Sequence, residues 1–149
     1  MSARHRVLFI QTAFFGDAIL ASAALMAWRK AFPQAEIEFV VRKGAKTLFS
    51  EHPAVDRVWE FDKTGAVWLR YARIVGLVRE LRKASNRSFD VVVNMNRFPS
   101  AGWIAALSGG KFRVGFDPQP MRKWQHLSLP HVMESGVHEI DRNFSLIAP

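Results

Sequence analysis

The sequence contains no cysteine. This absence excludes disulfide bonds, catalytic thiolates and thiolate metal sites, and it fits a reducing cytoplasmic location. Histidines do not indicate a metal site either, because His126, His131 and His138 are too loosely spaced. We therefore expect no bound metal.

Two glycine-rich phosphate motifs, Gly-x-Gly-x-x-Gly and the P-loop, are also missing. A nicotinamide-dependent enzyme or a nucleoside triphosphatase would lack its usual phosphate cradle. The longest nearly apolar run, residues 18–28, is far shorter than the roughly 20 residues that cross a bilayer. No small-residue cleavage site follows a hydrophobic region near the N-terminus, so no signal peptide is predicted.

The charge is strongly unbalanced, with 21 Lys and Arg against 13 Asp and Glu and a net charge of +8. Such a balance indicates an anionic partner: nucleic acid, an acidic membrane surface or a phosphorylated substrate. Zinc-finger spacing, an RNP-type motif and a basic zipper are all missing, so we expect no nucleic-acid partner. A basic surface without a specific role remains the alternative.

The composition predicts a soluble globular domain, because 149 residues that are 49% hydrophobic can bury one core. Predicted strands and helices alternate regularly along the chain. This alternation favours parallel βαβ units with helices on both faces of the sheet. The predicted strands are residues 7–10, 36–41, 55–61, 89–95 and 112–116. The first predicted helix runs from the turn after the first strand to about residue 32, and the others span residues 45–51, 66–84 and 99–107.

The turn between the first strand and the first helix contains Gly16 and Asp17. In open α/β sheets, ligands bind beyond the carboxyl ends of the strands, which is where this turn lies. Gly16 allows a sharp turn or the close approach of a ligand. Asp17 is either a functional carboxylate or only the N-cap of the helix, and the local pattern alone favours the cap.

Polar side chains also lie at and after the end of the fourth predicted strand, where they reach the same carboxyl-end edge as Asp17: Asn94, Asn96, Arg97 and Ser100. Two amides, a guanidinium and a hydroxyl could bind a polyhydroxylated or phosphorylated ligand. The alternative is a turn and a helix start with Pro99 at the first helical position. A second segment, residues 116–126, is rich in proline, aromatic and basic residues and is either a binding loop or a surface connection.

The long helix at 66–84 has a basic amphipathic pattern, which is found in helices that lie on anionic membranes. Its basic residues scatter around the helix, however, and the last three lie where cations favour the helix dipole. The membrane interpretation is therefore the less favoured one. The basic residues are Arg70, Arg73, Arg79, Arg82 and Lys83.

Six segments, in order along nearly the whole chain, resemble family 9 glycosyltransferases, the lipopolysaccharide heptosyltransferases. The Gln-Thr-Ala-Phe sequence at 11–14 and the Asn-Arg-Phe sequence at 96–98 resemble most the versions found in Bacteroidota. The six segments are residues 8–22, 32–44, 52–58, 89–94, 113–116 and 138–143.

The resemblance implies a Rossmann-like parallel sheet in the order 3-2-1-4-5 with helices on both faces, as the N-terminal half of a GT-B fold. In this family an N-terminal domain receives a lipid A–Kdo acceptor, and a C-terminal domain binds an ADP-sugar donor. The transfer of heptose or a related sugar to the lipopolysaccharide inner core inverts the anomeric configuration and needs neither a metal nor a cofactor.

The family's catalytic aspartate matches Asp17, which would deprotonate the acceptor hydroxyl. The helix N-terminus favours its carboxylate form, whereas Phe14 and Phe15 would oppose it by partial desolvation. A basic rim would suit the phosphates of the acceptor. The predicted acceptor-binding residues are Thr12, Gly16, Arg42, Lys43, Asn94, Asn96, Arg97 and Ser100.

We expect residues 1–137 to form the acceptor domain and residues 138–149 to begin the connection to a donor domain, since a complete enzyme needs about 150 residues per domain. The chain alone is then expected to be inactive. Its expected location is the cytoplasm, with peripheral contact to the inner membrane. The alternatives are a stand-alone binding module without catalysis and, less favoured, a receiver-like or flavodoxin-like domain, since neither an acidic pocket nor a phosphate loop is evident.

Overall fold

The computed structural model describes residues 4–133 and 136–148, which form one parallel sheet with helices on both faces. The strands are β1 (Arg6–Gln11), β2 (Glu36–Arg42), β3 (Arg57–Phe61), β4 (Val91–Asn94), β5 (Phe112–Phe116) and β6 (Leu127–Leu129). The α-helices are α1 (Phe15–Ala31), α2 (Lys46–Phe49), α3 (Val67–Lys83), α4 (Pro99–Leu107) and α5 (Glu139–Ile147).

The sheet order is β3-β2-β1-β4-β5-β6, and every neighbouring pair is parallel. The predicted Rossmann-like fold and the predicted order of the first five strands are therefore confirmed. The sixth strand, β6, was not predicted; it pairs Leu127 with Val114 of β5. Three residues within a proline-rich segment are too few to show a strand period.

The central strand β1 is buried along its whole length, which explains its continuous apolar sequence. Because side chains alternate across a strand, Val7 and Phe9 enter the core beneath α1 and α5, whereas Leu8 and Ile10 enter the core beneath α3 and α4. The sheet is thus covered on both faces, and its strand ends are left to form the site.

Helix α1 lies close to the sheet because the residues that it buries are small: Ala18, Ala21 and Ala24, with Leu25. Helix α5 adds Leu146 to the same core. The segment after residue 137 therefore packs on this domain. Its expected role as the connection to a second domain remains a prediction.

A buried ion pair joins β1 to β2, and the sequence pattern did not indicate it. Arg6 and Glu38 are 1% and 0% exposed, and Arg6 Nη2 lies 2.7 Å from Glu38 Oε1. Trp59 Nε1 donates to Glu38 Oε2 at 2.6 Å, and Arg6 Nη2 donates to the carbonyl oxygen of Leu81 at 3.0 Å. The guanidinium also lies 3.9 Å from the ring centroid of Phe89. The pair thus connects three strands with the end of α3.

Helix α3 buries Ile74, Val78 and Leu81 against the sheet. Its basic residues contact different parts of the fold, as the scattered pattern indicated. Arg82 donates to the carbonyl oxygen of Leu107 at 2.6 Å, and Arg73 donates to that of Thr64 at 2.7 Å. Within residues 4–133 and 136–148, none of the helices has the length and apolar character that crossing a bilayer requires.

Candidate functional site

A cavity of about 290 Å³ opens at the carboxyl ends of β1 and β4, the edge where the sequence placed the site. Asp17, Asn96 and Arg97 line it. The two loops meet there because the strands are adjacent: Ile10 pairs with Asn94. The prediction that the Asp17 turn and the loop after β4 share one edge of the sheet is confirmed.

Asp17 is the third residue of α1 rather than its N-cap, which is Phe14. The predicted N-cap position was therefore wrong by three residues, from Asp17 to Phe14. Its carboxylate still caps the helix by a different route, because Oδ2 accepts a hydrogen bond from the backbone N–H of Phe14 at 3.0 Å. Within the described part of the chain, Oδ1 accepts none. One oxygen thus supports the helix while the other is available to a ligand.

Thr12, Asn94 and Asn96 are all buried beneath the cavity. Asn96 Nδ2 donates to Thr12 Oγ1 at 2.8 Å, and the Asn96 N–H donates to Asn94 Oδ1 at 3.0 Å. These bonds hold the ends of β1 and β4 together. Asn96 also lines the cavity, whereas Thr12 and Asn94 brace the loops that form it.

Gln119, which was not singled out in the sequence, holds the loop after β4 in place. It is 1% exposed, and its Nε2 donates to the carbonyl oxygens of Asn96 at 3.2 Å and Phe98 at 2.9 Å. A Cβ at Gly102 of α4 would stand 2.8 Å from Met121 Cβ and would also collide with the end of the Gln119 side chain, so a side chain there would displace this support. Part of the 116–126 segment is thus a fixed support for the site.

Arg42, the last residue of β2, and Lys43, which follows it, lie at the same edge of the sheet but differ in their partners. The Arg42 guanidinium lies 5.5 and 5.4 Å from the ring centroids of Phe14 and Phe15. Lys43 is exposed and forms an ion pair with Asp62 at 3.2 Å. Arg42 therefore keeps its charge available beside the cavity, whereas the charge of Lys43 is largely compensated.

Lys63 was missed by the sequence analysis although it stands beside the site. Its Nζ lies 4.9 Å from the ring centroid of Phe98 and 5.9 Å from that of Phe14. Partial burial and the charge of Arg42 lower its pKa, and the charge of Asp17 acts in the opposite direction. Nothing in the local sequence marks it, because its position depends on the packing of the β3–α3 loop.

His131, Glu139 and Arg142 also line the cavity and were not predicted as site residues. Arg142 Nη1 donates to Glu139 Oε2 at 2.5 Å. No local sequence pattern marks the return of the chain after β6, which brings these three residues to the site. Among the described residues, no group of three or more potential metal ligands comes together.

Of the eight predicted acceptor-binding residues, Asn96 and Arg97 line this cavity; besides Thr12, Asn94, Arg42 and Lys43, which stand behind or beside it, Ser100 and Gly16 do not line it either. Ser100 lines a separate groove between α3 and α4, and Phe98 borders both spaces. Gly16 is the second residue of α1 and has no left-handed backbone conformation, so the predicted sharp turn is wrong. Apart from the chain neighbours of Gly16 and the backbone of α1, no described atom lies within 4 Å of where a Cβ would stand, which leaves room for a close approach.

His131 is expected to titrate below its ordinary value of 6.5, because burial, Arg97 and Arg142 lower its pKa more than Glu139 raises it. NMR titration of the imidazole signal, assigned with His131→Gln, measures the midpoint. Arg97→Gln should raise it, and Lys30→Gln, which removes an equal charge at the end of α1, should not. Since the unfolded chain then binds this proton more readily, stability should fall as the pH drops below 6.5.

A His131 midpoint at or above 6.5 would show that burial and the two cations do not lower this pKa, and a midpoint that does not respond to Arg97→Gln would show that Arg97 does not act on the imidazole.

Solved structures share this fold. The chain resembles the glycosyl transferase family 9 protein of Veillonella parvula with a TM-score of 0.86 and 19% identity, over 99% of this chain and 42% of that one. It resembles Escherichia coli heptosyltransferase WaaC, solved with ADP-2-deoxy-2-fluoro heptose, with a TM-score of 0.74 and 21% identity, over 96% and 47%. It resembles E. coli ADP-heptose LPS heptosyltransferase II with a TM-score of 0.73 and 15% identity, over 95% of this chain and 39% of that one.

The chain spans less than half the length of each of these structures. At these sequence identities, the structural likeness establishes the fold of the chain alone. That fold is consistent with one half of a GT-B fold. No protein-family model and no curated protein sequence matches the chain.

Proposed function

We propose that this chain is the acceptor-binding domain of an inverting glycosyltransferase that transfers heptose or a related sugar from an ADP-sugar to the lipopolysaccharide inner core. The observation that carries the proposal is the position of Asp17: its carboxylate lines a cavity at the ligand-binding edge of a fold shared with heptosyltransferases. The capping bond to Phe14 occupies one of its oxygens and leaves the other for an acceptor hydroxyl.

In the proposed reaction, Asp17 removes the proton of the acceptor hydroxyl as its oxygen attacks the anomeric carbon of the donor. A new carbon–oxygen bond forms on one face of the sugar while the bond to the ADP leaving group breaks on the other. The configuration at that carbon inverts, Asp17 holds the proton, and ADP departs with the bonding electrons.

The phosphates of the acceptor would be bound by cations around the cavity. Arg42, Lys63 and Arg97 form no ion pair within the described residues. Guanidinium and ammonium groups bind phosphate oxygens through charge-assisted hydrogen bonds. Lys63 thus joins the predicted acceptor residues, and Lys43 contributes less because Asp62 compensates its charge.

The donor ADP-sugar is proposed to bind to a second domain, because the chain corresponds to less than half of each transferase that it resembles. Residues 1–149 alone should then be inactive. We propose the cytoplasmic face of the inner membrane as the place of action, where a lipid A–Kdo acceptor is presented. A stand-alone binding module is not favoured, since the three structures described above are transferases by name.

Calorimetry with the 149-residue chain tests the proposed domain role. A soluble, deacylated Kdo–lipid A phosphate should bind weakly, and ADP-heptose should hardly bind. Affinity for the acceptor should decrease between low and high salt, because exposed charges are screened over about 10 Å at 0.1 M ionic strength. Tight binding of ADP-heptose would overturn the assignment of the acceptor side to this chain.

A further inference from the structure

A groove of about 410 Å³ lies between α3 and α4, beside the cavity that contains Asp17. The buried side chain of Ile74 lies at its base, and Tyr71 and Trp103 meet edge to face with their ring centroids 6.0 Å apart. The volume lies within the range of small-molecule sites. Phe98 borders both the groove and the cavity, so the two spaces are neighbours.

The groove is apolar and open to solvent. Val67 is 56% exposed, Phe98 is 48% exposed and Tyr71 is 46% exposed, and all three line it. Adjoining apolar side chains that remain in water are unfavourable and commonly mark a place where a ligand or partner binds. Their arrangement along a groove fits a narrow chain better than a broad, flat partner.

Among the described residues, two cations, Lys63 and Arg70, line the groove, and no acidic residue does. Neither forms an ion pair within residues 4–133 and 136–148, and Arg70 Nε is buried without a hydrogen-bond partner. A wholly apolar occupant would cover these charges and leave them unpaired, at a large cost in free energy. An occupant with an anionic end would pair them.

The loop that carries Lys63 is held in place by hydrogen bonds. Arg73 Nη1 donates to the carbonyl oxygens of Asp62 at 3.2 Å and Thr64 at 2.7 Å. The Thr64 hydroxyl and N–H donate to Asp62 Oδ1, and with Lys43 and Arg73 they hold the pKa of Asp62 well below its usual range. Asp62 is therefore engaged elsewhere, and Lys63 is presented by a fixed loop with its charge available.

We infer that the α3–α4 groove binds an acyl chain of a phosphorylated lipid, with the chain over Ile74 and the phosphate at Lys63 and Arg70. This inference rests on the proposed function for the identity of that lipid, which would be the lipid end of the acceptor. The sugar end would then pass Phe98 to reach Asp17. The Ser100 hydroxyl, which lies in the groove rather than in the cavity, would contact the lipid end.

A series of hexyl, octyl and decyl phosphates, each kept below its micelle concentration, tests the inference by calorimetry on the 149-residue chain. Affinity should rise about fourfold per added methylene until the groove is filled, as expected for burial of one methylene. Octyl glucoside, with the same chain and no charge, should bind at least about tenfold more weakly than octyl phosphate, since it makes no charge-assisted bond. Inorganic phosphate alone should bind more weakly still.

Three variants locate the binding. Val67→Asp should weaken all the alkyl phosphates by at least about tenfold, because it puts a charge in the apolar groove. The helix should tolerate it, since a carboxylate is favourable in the first turn of α3. Lys63→Gln and Arg70→Gln should each reduce the preference for octyl phosphate over octyl glucoside. Arg79→Gln, on the same helix but outside the groove, is the matched control. It should change neither the affinity for the alkyl phosphates nor the preference for octyl phosphate over octyl glucoside.

NMR provides an independent readout: the indole signal of Trp103 in the groove should shift on titration, and that of Trp124, which does not line it, should not. The inference is overturned if no alkyl phosphate binds saturably, or if Val67→Asp leaves the affinities unchanged. Reversible dimerisation in sedimentation experiments that Val67→Asp abolishes would also overturn it, because a second copy would then be the occupant.

These outcomes are separate from those of the proposed function. If the deacylated acceptor binds and the alkyl phosphates do not, only the acyl site is lost. If the alkyl phosphates bind in the groove and no acceptor sugar binds near Asp17, the proposed function is lost and the lipid site remains.

Discussion

Asp17→Asn is expected to reduce the turnover of the enzyme that contains both domains by about 10²- to 10⁴-fold, the range for loss of a general base. The amide cannot take the proton of the acceptor hydroxyl. Asparagine keeps the size of the side chain, and its Oδ1 can still accept the N–H of Phe14, so the folded structure should persist. Initial rates at saturating acceptor and ADP-sugar, with a thermal melt of each variant, measure both effects.

Asp141→Asn is the matched control, because Asp141 is an exposed carboxylate in the first turn of α5 and does not line the cavity. It makes the same chemical change near a helix start and should leave turnover unchanged. If Asp17→Asn retained full turnover, Asp17 would be only a capping residue and the catalytic proposal would fail.

Glu38→Ala is expected to destabilise the domain by about 3–5 kcal/mol, because it removes the buried counter-charge of Arg6 and leaves only the longer contact, 3.9 Å, to the partly exposed Glu36. Trp59 Nε1 loses its acceptor in the same change. Since small domains are stable by only about 5–15 kcal/mol, the loss is a large share of the total. Urea unfolding followed by circular dichroism gives the free energy of unfolding.

Two comparisons show whether burial of the charge is the cause. Lys111→Gln removes the exposed ion pair with Asp90, 2.8 Å long, and should change the free energy of unfolding by less than about 1 kcal/mol. The double variant Arg6→Met with Glu38→Leu should recover much of the loss, because apolar side chains often replace a buried pair without penalty. A cost below about 1 kcal/mol for Glu38→Ala would mean that water reaches Arg6 in the folded chain.

The sheet could be predicted because its signals are local. The apolar run of β1 and the alternation of strands with helices are visible in short windows of sequence, and right-handed crossovers restrict the order in which parallel strands assemble. The edge at which Asp17 and Asn94 meet follows from that order. The three-residue strand β6 escaped prediction because it is held by pairing with β5 rather than by its own pattern.

The site was only partly predictable, because two groups of contributors reach it through packing. Lys63 depends on the β3–α3 loop, and His131 and Arg142 on the return of the chain after β6, so their distance from Asp17 in sequence hides them. Some predicted residues also have a role other than the one expected. Thr12 and Asn94 support the loops of the cavity, and Ser100 lines the α3–α4 groove.

The sequence by itself determined the fold class, since hydrophobic periodicity acts locally, and its family resemblance supplied the order of the first five strands and with it the edge where Asp17 stands. Only the tertiary structure decided which charges are paired and which remain available. Arg6 is neutralised by Glu38 and Lys43 by Asp62, whereas Lys63 keeps its charge beside the site. The pairing of charges depends on distances across the fold, which no short segment of the chain contains.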